Sequence, residues 1–172
     1  MHPAIDRFDD RLDEAWERLR ANPALNRIFY TASESADFSV LWHTLGVVQA
    51  IVEDDPKIAI AISAALGAES ALVNGPVKSL FKRSRPVQDG PRPHNLRQPV
   101  TSSFPSGHAS AAMVAAAMLS RQGGAALWYA LGGIVATSRI HVRIHHGSDV
   151  AGGLVVGAAL GAVARRIADA VL

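Results

Sequence analysis

The chain has 172 residues, of which 49% are hydrophobic and 6% aromatic, and its mean hydropathy is +0.15. It contains no cysteine, which excludes disulfides and thiolate metal sites, and its net charge of +2 gives no general affinity for polyanions such as nucleic acids. This length allows one domain with a sizeable core, and the abundance of Ala, Val, Leu, Ile and Gly favours closely packed membrane helices.

Residues 1–22 are the first predicted element, an amphipathic helix. Its polar face holds six acidic residues against four arginines, which disfavours attraction to anionic lipid. It is too charged for a signal peptide. Three roles stay open for it: capping of the bundle, a dimer contact and a position at the membrane interface. We assign 1–35 as an N-terminal segment of the same domain. The apolar side chains recur three or four residues apart at Ile5, Phe8, Leu12, Trp16 and Leu19.

Five apolar stretches follow and are predicted to be membrane helices. Several are shorter than the roughly 20 residues that cross a bilayer. The connection at 82–104 is long and rich in Pro, Arg and His, which is typical of a binding loop. The sequence therefore predicts a single domain over 1–172, an all-α transmembrane helical bundle. The stretches cover about 38–52, 57–80, 107–120, 124–140 and 149–170.

Small and polar residues inside these stretches lead to two further interpretations. Gly153, Gly157 and Gly161 repeat every four residues, which indicates a close helix-packing face. Glu69 and Asn74 lie on the approach to a basic segment. Each is either part of a functional site or a polar group satisfied by packing inside the bundle.

The first polar block runs from Lys78 to Pro86. Lys78 and Arg85 are seven residues apart, so both are expected on one face of a helix that Pro86 ends. Arginine can hold phosphate oxygens through two parallel hydrogen bonds, while lysine supplies a compact charge. Taken alone, such a cluster would more often flank a membrane helix.

The second block reads Ser103-Phe104-Pro105-Ser106-Gly107-His108 and begins a helix of small residues. A helix N-terminus presents free N–H groups to an anion. Gly107 permits close approach, and the hydroxyl of Ser106 adds a donor. His108, in the first turn, can give a proton to a leaving alkoxide.

The third block places Arg139 six residues before His145 and Asp149 four residues after it. A carboxylate one turn further on can hold the far N–H of the imidazole, which leaves the near nitrogen as a nucleophile. His141 and His146 compete for this role, but neither has an acidic residue four positions on. Together the blocks supply what a phosphate ester needs for hydrolysis without a metal.

Lys-x6-Arg-Pro, Pro-Ser-Gly-His and Ser-Arg-x5-His-x3-Asp, in this order, resemble the signature of the type 2 phosphatidic acid phosphatase (PAP2) family, which vanadium haloperoxidases share. The resemblance spans about 57–170 and leaves the N-terminal segment unexplained. Family members usually have six membrane helices against the five counted here, so the first would be missing or replaced. All eleven specified positions match: Lys78, Arg85, Pro86, Pro105, Ser106, Gly107, His108, Ser138, Arg139, His145 and Asp149.

The resemblance implies a role for each site residue. His145 attacks phosphorus and forms a phosphohistidine, Asp149 orients it, and His108 protonates the leaving group. The resemblance implies a phosphoric monoester hydrolase without a metal or other cofactor. The implied phosphate ligands are Lys78, Arg85, Ser106, Gly107 and Arg139.

A lipid phosphate is the expected substrate, because the site would lie at the ends of membrane helices. Outside the motifs, the side with the site carries ten cations against four, which favours the cytoplasmic face of the cell membrane. Such a short member resembles small actinobacterial enzymes proposed to act on decaprenylphosphoryl-5-phosphoribose, a cell-wall precursor. Undecaprenyl pyrophosphate, phosphatidylglycerophosphate and phosphatidate stay open as substrates.

Four additional cations, Arg83, Arg92, Arg97 and Arg143, are interpreted mainly as exposed or topogenic charges rather than ligands of a second phosphate or a sugar. Two other classes of protein compete with a phosphatase. A vanadate-dependent haloperoxidase would be larger and soluble, and a non-catalytic scaffold would be expected to lack a catalytic residue. No nucleic-acid partner is expected, and the sequence leaves a homo-oligomer open.

Overall fold

The computed structural model describes residues 2–87, 96 and 99–172. This part of the chain is built from α-helices and contains no strand, so the predicted all-α class is confirmed. Short 3-10 turns at Asp37–Ser39 and Ser120–Gln122 and a π-helical turn at Val73–Val77 adjoin the helices. The helices are α1 (Pro3–Arg20), α2 (Pro23–Ser35), α3 (Val40–Val52), α4 (Pro56–Leu72), α5 (Gly107–Leu119), α6 (Ala125–His141) and α7 (Gly147–Val171).

The N-terminal segment consists of α1 and α2. The predicted amphipathic helix is confirmed as α1, which begins with Pro3 in the first turn. The prediction over 1–22 leaves out α2, whose start is capped by Asn22. The Oδ1 atom of Asn22 accepts a hydrogen bond from the N–H of Ala24 (2.9 Å), and Pro23 follows the cap. This Asn-Pro pair is the sequence signal that indicates a second helix.

Helices α3 to α7 correspond to the five predicted apolar stretches and run alternately between two ends of the bundle. At one end, called the site end below, α3, α5 and α7 begin and α4 and α6 finish. The N–H of Ser106 donates to the carbonyl of Asp149 there (2.9 Å), which joins the starts of α5 and α7. At the opposite end, Nε2 of Gln49 donates to the carbonyl of Leu119 (3.1 Å).

Helix α5 is the centre of the bundle, with ten of its thirteen residues buried, most of them alanine. Helix α7 packs against it through the predicted glycine face, which the structure confirms. A Cβ atom added at Gly153 would lie 2.9 Å from Cβ of Ala109, and one added at Gly161 would lie 2.9 Å from Cβ of Ala117. Because real Cβ contacts are wider, only glycine allows the two backbones to lie this close.

The outer surface of the bundle is strongly apolar. Ile51 on α3 is 74% exposed and Val155 on α7 is 71% exposed. Within the described part of the chain, two helices, Pro56–Val77 and Gly147–Val171, are long and apolar enough to cross a bilayer, and Asp37–Val52 is a shorter apolar helix. These lengths do not establish five crossings, so the predicted number of membrane helices stays a prediction.

Candidate active site

Backbone hydrogen bonds join the three polar blocks at the site end. The N–H of Ser103 donates to the carbonyl of Arg83 (3.0 Å), which ties the second block to the first. The Ser106–Asp149 bond described above ties the second block to the third. Residues that are far apart in the chain are thereby brought into one site.

The first block does not have the predicted helical geometry. Gly75 has a non-helical backbone (φ −92°, ψ −106°) and Pro76 cannot donate the next helical hydrogen bond. The chain leaves helical conformation after Ser79, so Arg85 lies in a non-helical segment. The expectation that Lys78 and Arg85 share a helix face is therefore wrong, because helical conformation ends directly after Lys78 and Ser79.

Lys78 is buried beside the start of α5. Its Nζ atom donates to Oδ1 of Asn74 (2.9 Å), so Asn74 positions the cation. Burial and, to a smaller extent, the charge of Arg85 lower the pKa of Lys78 from 10.5 to about 8, while Glu69 opposes the shift. Lys78 is therefore a cation near neutrality that loses its charge in mild alkali.

Arg85 is held by the chain on both sides of the site. It donates to the carbonyls of Pro99 (3.1 Å), Thr101 (3.1 Å) and Ile144 (3.0 Å). Its Nη1 atom also lies 3.2 Å from Nε2 of His145. The guanidinium thus lies directly against the ring of the predicted nucleophile, although most of its donors are used by carbonyl groups.

The second block forms the N-terminus of α5. Ser106 is fully buried and its Oγ atom caps the helix by accepting from the N–H of Ala109 (3.4 Å). Gly107 faces the first block, since a Cβ added there would lie 3.1 Å from Oδ1 of Asn74 and 3.7 Å from Nζ of Lys78. The positive end of α5 and the ammonium group of Lys78 therefore border the same space.

His108 contacts an acidic residue that the sequence reasoning did not identify. Its Nε2 atom lies 3.1 Å from Oδ1 of Asp37, in the turn before α3. A carboxylate at this distance can orient the imidazole. Because Asp37 belongs to no motif and lies about seventy residues earlier in the chain, no local sequence signal indicates this pairing.

His145 is buried in the turn between α6 and α7. Its Nδ1 atom lies 3.7 Å from Oδ2 of Asp149 and 3.5 Å from Oγ of Ser103, and its Nε2 atom points the other way, toward Arg85. The predicted proximity of Asp149 is therefore present, at a separation longer than a hydrogen bond. Burial lowers the pKa of His145 from 6.5 to about 3, an effect larger than the opposing influence of Asp149. The ring is neutral, as a nucleophile requires.

Asp149 is completely buried, and three donors hold its carboxylate. The hydroxyl of Ser103 and the N–H of His146 (2.8 Å) donate to Oδ2, and Arg83 donates to Oδ1. The sequence reasoning included Ser103 in the second block without giving it a role. The structure adds it as a link between Asp149 and the ring of His145.

Arg139 is also buried and borders the cavity. Its Nη1 atom donates to the hydroxyl of Ser33 on α2, while its Nε atom has no hydrogen-bond partner among the described residues. A buried guanidinium nitrogen without a partner is rare, because the loss of hydration is not compensated. An anion in the cavity would satisfy it.

Arg83 corrects an earlier interpretation. It is not an exposed or topogenic charge, since only 11% of its side chain is exposed and it binds Asp149 and Asp9. Arg143 forms an ion pair with Glu17 of α1 (2.6 Å). The other two additional cations, Arg92 and Arg97, lie outside the described residues.

The competing histidines do not line the cavity. His141 is buried, with Nε2 2.7 Å from Oδ1 of Asn26, and its ring stacks on Phe29 with centroids 4.5 Å apart. His146 is the N-cap residue of α7. The geometry therefore favours His145 over both alternatives.

A cavity of about 510 Å³ occupies the centre of the site. It continues between α3 and α4, past His43 and Ser70, to the buried carboxylate of Glu69, which accepts a hydrogen bond from Ser110. Among the described residues, no group of three or more His, Asp or Glu side chains is placed to hold a metal ion. Of the residues that the motifs predict for the site, those that line the cavity are Lys78, Gly107, His108, Arg139 and His145.

The chain is similar to known proteins in sequence and in fold. The PAP2 superfamily profile matches residues 58–171. Decaprenylphosphoryl-5-phosphoribose phosphatases from two Mycobacterium tuberculosis strains are 40% identical over 88 residues, which is 51% of this chain and 49% of theirs. The chain thus matches about half the length of these relatives. A PAP2-type phosphatidylglycerolphosphate phosphatase from Bacillus subtilis has a crystal structure similar in fold, with a TM-score of 0.73 and 22% identity over 99% of this chain and 89% of that one.

Proposed function

Because this chain belongs to the PAP2 superfamily, we propose that it is a membrane phosphatase that hydrolyses a lipid phosphomonoester through a phosphohistidine. The observation that carries this proposal is the arrangement around one cavity. A neutral histidine ring lies there beside two buried cations and a helix N-terminus. Such preplaced positive charge is what phosphoryl transfer chiefly requires from a protein.

In the first step, Nε2 of His145 attacks phosphorus and the bond to the lipid oxygen breaks. The leaving alkoxide takes a proton from His108, which Asp37 orients. The ring of His145 gains positive charge as the new bond forms, and the carboxylate of Asp149 behind Nδ1 stabilises that charge. Lys78, Arg139 and the first N–H groups of α5 stabilise the phosphoryl oxygens.

In the second step, water replaces His145 at phosphorus. His108 takes a proton from this water, which restores the protonation state that it had at the start. The bond between Nε2 and phosphorus breaks, and inorganic phosphate leaves. Arg85 must exchange its contact with Nε2 for contacts with phosphoryl oxygens during this cycle, since both cannot occupy the same direction.

The outer surface and the cavity support a lipid substrate with a headgroup larger than phosphate. Exposed apolar side chains on α3, α4 and α7 are suited to contact acyl or prenyl chains. The cavity of about 510 Å³ exceeds the needs of a phosphate and has a polar wall between α3 and α4. A prenyl-linked phosphoribose, the substrate in the name of the mycobacterial relatives, is our first candidate, with phosphatidylglycerophosphate as the second.

The proposal is tested by phosphate release from purified protein in detergent. The panel contains decaprenylphosphoryl-5-phosphoribose, phosphatidylglycerophosphate, phosphatidate and undecaprenyl pyrophosphate. We expect turnover that continues in EDTA and is inhibited by vanadate. His145→Ala should lower kcat by about a thousandfold or more, as expected for loss of a nucleophile, while the matched variant His141→Ala retains turnover.

Two results would contradict the proposal. Complete loss of activity in EDTA with recovery in magnesium would exclude the metal-independent scheme. Bromide oxidation with added vanadate, without phosphate release from any lipid, would indicate a haloperoxidase.

A further inference from the structure

The N-terminal helix α1 contains a buried acidic residue, although most of its surface is exposed. Asp9 is 6% exposed, and it is the buried residue of α1. Burial of a carboxylate is unfavourable unless hydrogen bonds and a counter-charge compensate for it. The partners of Asp9 therefore indicate why the residue is there.

Asp9 binds the first turn of α7. The N–H of Ser148 donates to Oδ1 of Asp9 (2.7 Å), and the hydroxyl of Ser148 lies 2.8 Å from Oδ2. Asp9 thus supplies a negative charge to the positive end of α7 from another helix. The first turn of α7 is also the turn that carries Asp149.

Arg83 connects Asp9 with Asp149. Its Nη2 atom donates to Oδ2 of Asp9 (2.5 Å), and its Nη1 atom donates to Oδ1 of Asp149. Nη1 also lies 2.7 Å from Oγ of Ser148. One guanidinium group is therefore shared between two buried carboxylates, and one of these lies behind the predicted nucleophile.

The sharing has an electrostatic consequence for His145. An arginine paired with Asp149 alone would neutralise that carboxylate and weaken its stabilisation of the positive ring that forms on attack. Because Asp9 also binds Arg83, the three groups together retain one negative charge beside Nδ1 of His145. Asp9 also limits the positions that the guanidinium can adopt.

A second contact of α1 lies at the end of α6, on the other side of the turn that carries His145. Arg20 donates to the carbonyls of Ile140 (2.9 Å) and His141 (3.0 Å) at the end of α6, and Asp13 holds Arg20 through an ion pair of 2.5 Å. Helix α1 therefore contacts both ends of the segment that carries His145. The contact through Asp13 and Arg20 involves neither Arg83 nor Asp149.

We propose that Asp9 is a positioning residue of the reaction, which shares Arg83 with Asp149 and so sets the charge and place of the carboxylate behind His145. This inference rests on the proposed phosphatase function. It assigns to α1 a task in catalysis, although α1 lies outside the three motifs.

The test is Asp9→Asn, which retains an oxygen for the N–H of Ser148 and removes the charge. With p-nitrophenyl phosphate and the best lipid of the panel, kcat should fall about ten- to a hundredfold, a loss of the size found when a group that orients a metal-binding histidine is removed. KM and inhibition by inorganic phosphate should be unchanged, since the phosphate ligands are untouched. In an Arg83→Met background, Asp9→Asn should have little further effect on kcat.

Two control substitutions on the same helix separate positioning from loosening of α1. Asp10→Asn changes an exposed neighbour and should leave kcat unchanged. Asp13→Asn weakens the contact through Arg20. It should lower the unfolding temperature, with a smaller loss of kcat than Asp9→Asn causes. Equal loss of kcat in Asp13→Asn and Asp9→Asn would overturn the inference, because it would indicate general loosening.

The outcomes distinguish this inference from the proposed function. If the unmodified protein releases no phosphate from any substrate, the proposed function fails and this inference with it. If it is active and Asp9→Asn has the same kcat as Asp10→Asn, only this inference fails.

If Asp9→Asn does not fold, Arg83→Lys replaces it in the test, because a lysine can serve only one of the two carboxylates. A loss of kcat with unchanged phosphate inhibition supports the inference, and an unchanged kcat overturns it.

Discussion

At the scale of single residues, the site depends on charges held away from water. Arg139, Lys78 and Asp149 are all buried, and each is supported by a neighbour from another part of the chain: Ser33, Asn74 and Ser103, respectively. Such groups need no reorganisation when a phosphate enters, which is the main advantage of a preorganised site.

Lys78 leads to a prediction about pH. Its pKa is lowered by burial to about 8, so the free enzyme loses this cation as the pH rises through that value. Only the charged form attracts phosphate, and kcat/KM should therefore fall on the alkaline side of about pH 8. The measurement is the pH profile of kcat/KM for the unmodified protein and for Lys78→Arg, since a guanidinium keeps its proton. An alkaline limb that does not move in Lys78→Arg would assign the effect to another group.

The residues of the site divide by how well sequence could predict them. The three motifs indicated His145, His108 and the cations, because spacing within a short block is visible in the sequence. Asp37 and Asp9 could not be found in this way, since each acts on a residue far along the chain. Arg83 was seen but misinterpreted, because a basic residue beside an apolar helix is typical of a membrane flank.

At the scale of elements, periodicity predicted the positions of the helices well and their local breaks poorly. The five apolar stretches correspond to α3 to α7. The helix expected to carry both Lys78 and Arg85 is irregular at Gly75 and Pro76 and ends after Ser79, and the seven-residue spacing indicates neither feature. Asn22 followed by Pro23 is the local sequence signal that indicates the start of α2.

The packing of α7 on α5 leads to a prediction about stability. A Cβ added at Gly157 would lie 2.6 Å from Cα of Ser110 and 2.9 Å from Cβ of Met113, so α7 would have to move away. Gly157→Ala should therefore lower the free energy of unfolding by about 1–3 kcal/mol, as overpacking does. The measurement is unfolding in detergent followed by circular dichroism.

The matched control is Gly133→Ala on α6, where an added Cβ would meet nothing within 4 Å. Alanine is the better helix former, so this variant should be at least as stable as the unmodified protein. Equal stability of the two variants would indicate that α5 and α7 can separate freely.

At the scale of the whole molecule, alternating helices bring all three motifs to one end. The N-terminal helices lie at this end too, because α1 contacts the turn between α6 and α7. Lysine and arginine residues are therefore more numerous there, even without Arg20 and Arg83, whose charges are used in ion pairs. In a membrane this asymmetry favours a cytoplasmic site end.

Cysteine labelling in intact cells checks this orientation, and the absence of native cysteine gives a clean background. Val87→Cys at the site end should resist a membrane-impermeant thiol reagent, whereas Gln122→Cys at the opposite end should react. Both positions are exposed, so access to the reagent differs only by the side of the membrane. The reverse pattern would place the site outside the cell and favour a carrier pyrophosphate as the substrate.

The contact between Asp9 and Ser148 also determines when the site can form during synthesis of the chain. The two residues are 139 positions apart, so α1 leaves the ribosome long before its partner exists. Closing so long a loop has a large entropic penalty, which is offset only after the intervening helices have packed. Docking of α1 is thus a late event in folding. A nascent chain that ends before α7 still lacks Ser148 and Asp149, so Arg83 can pair only with Asp9 and the proposed site is incomplete.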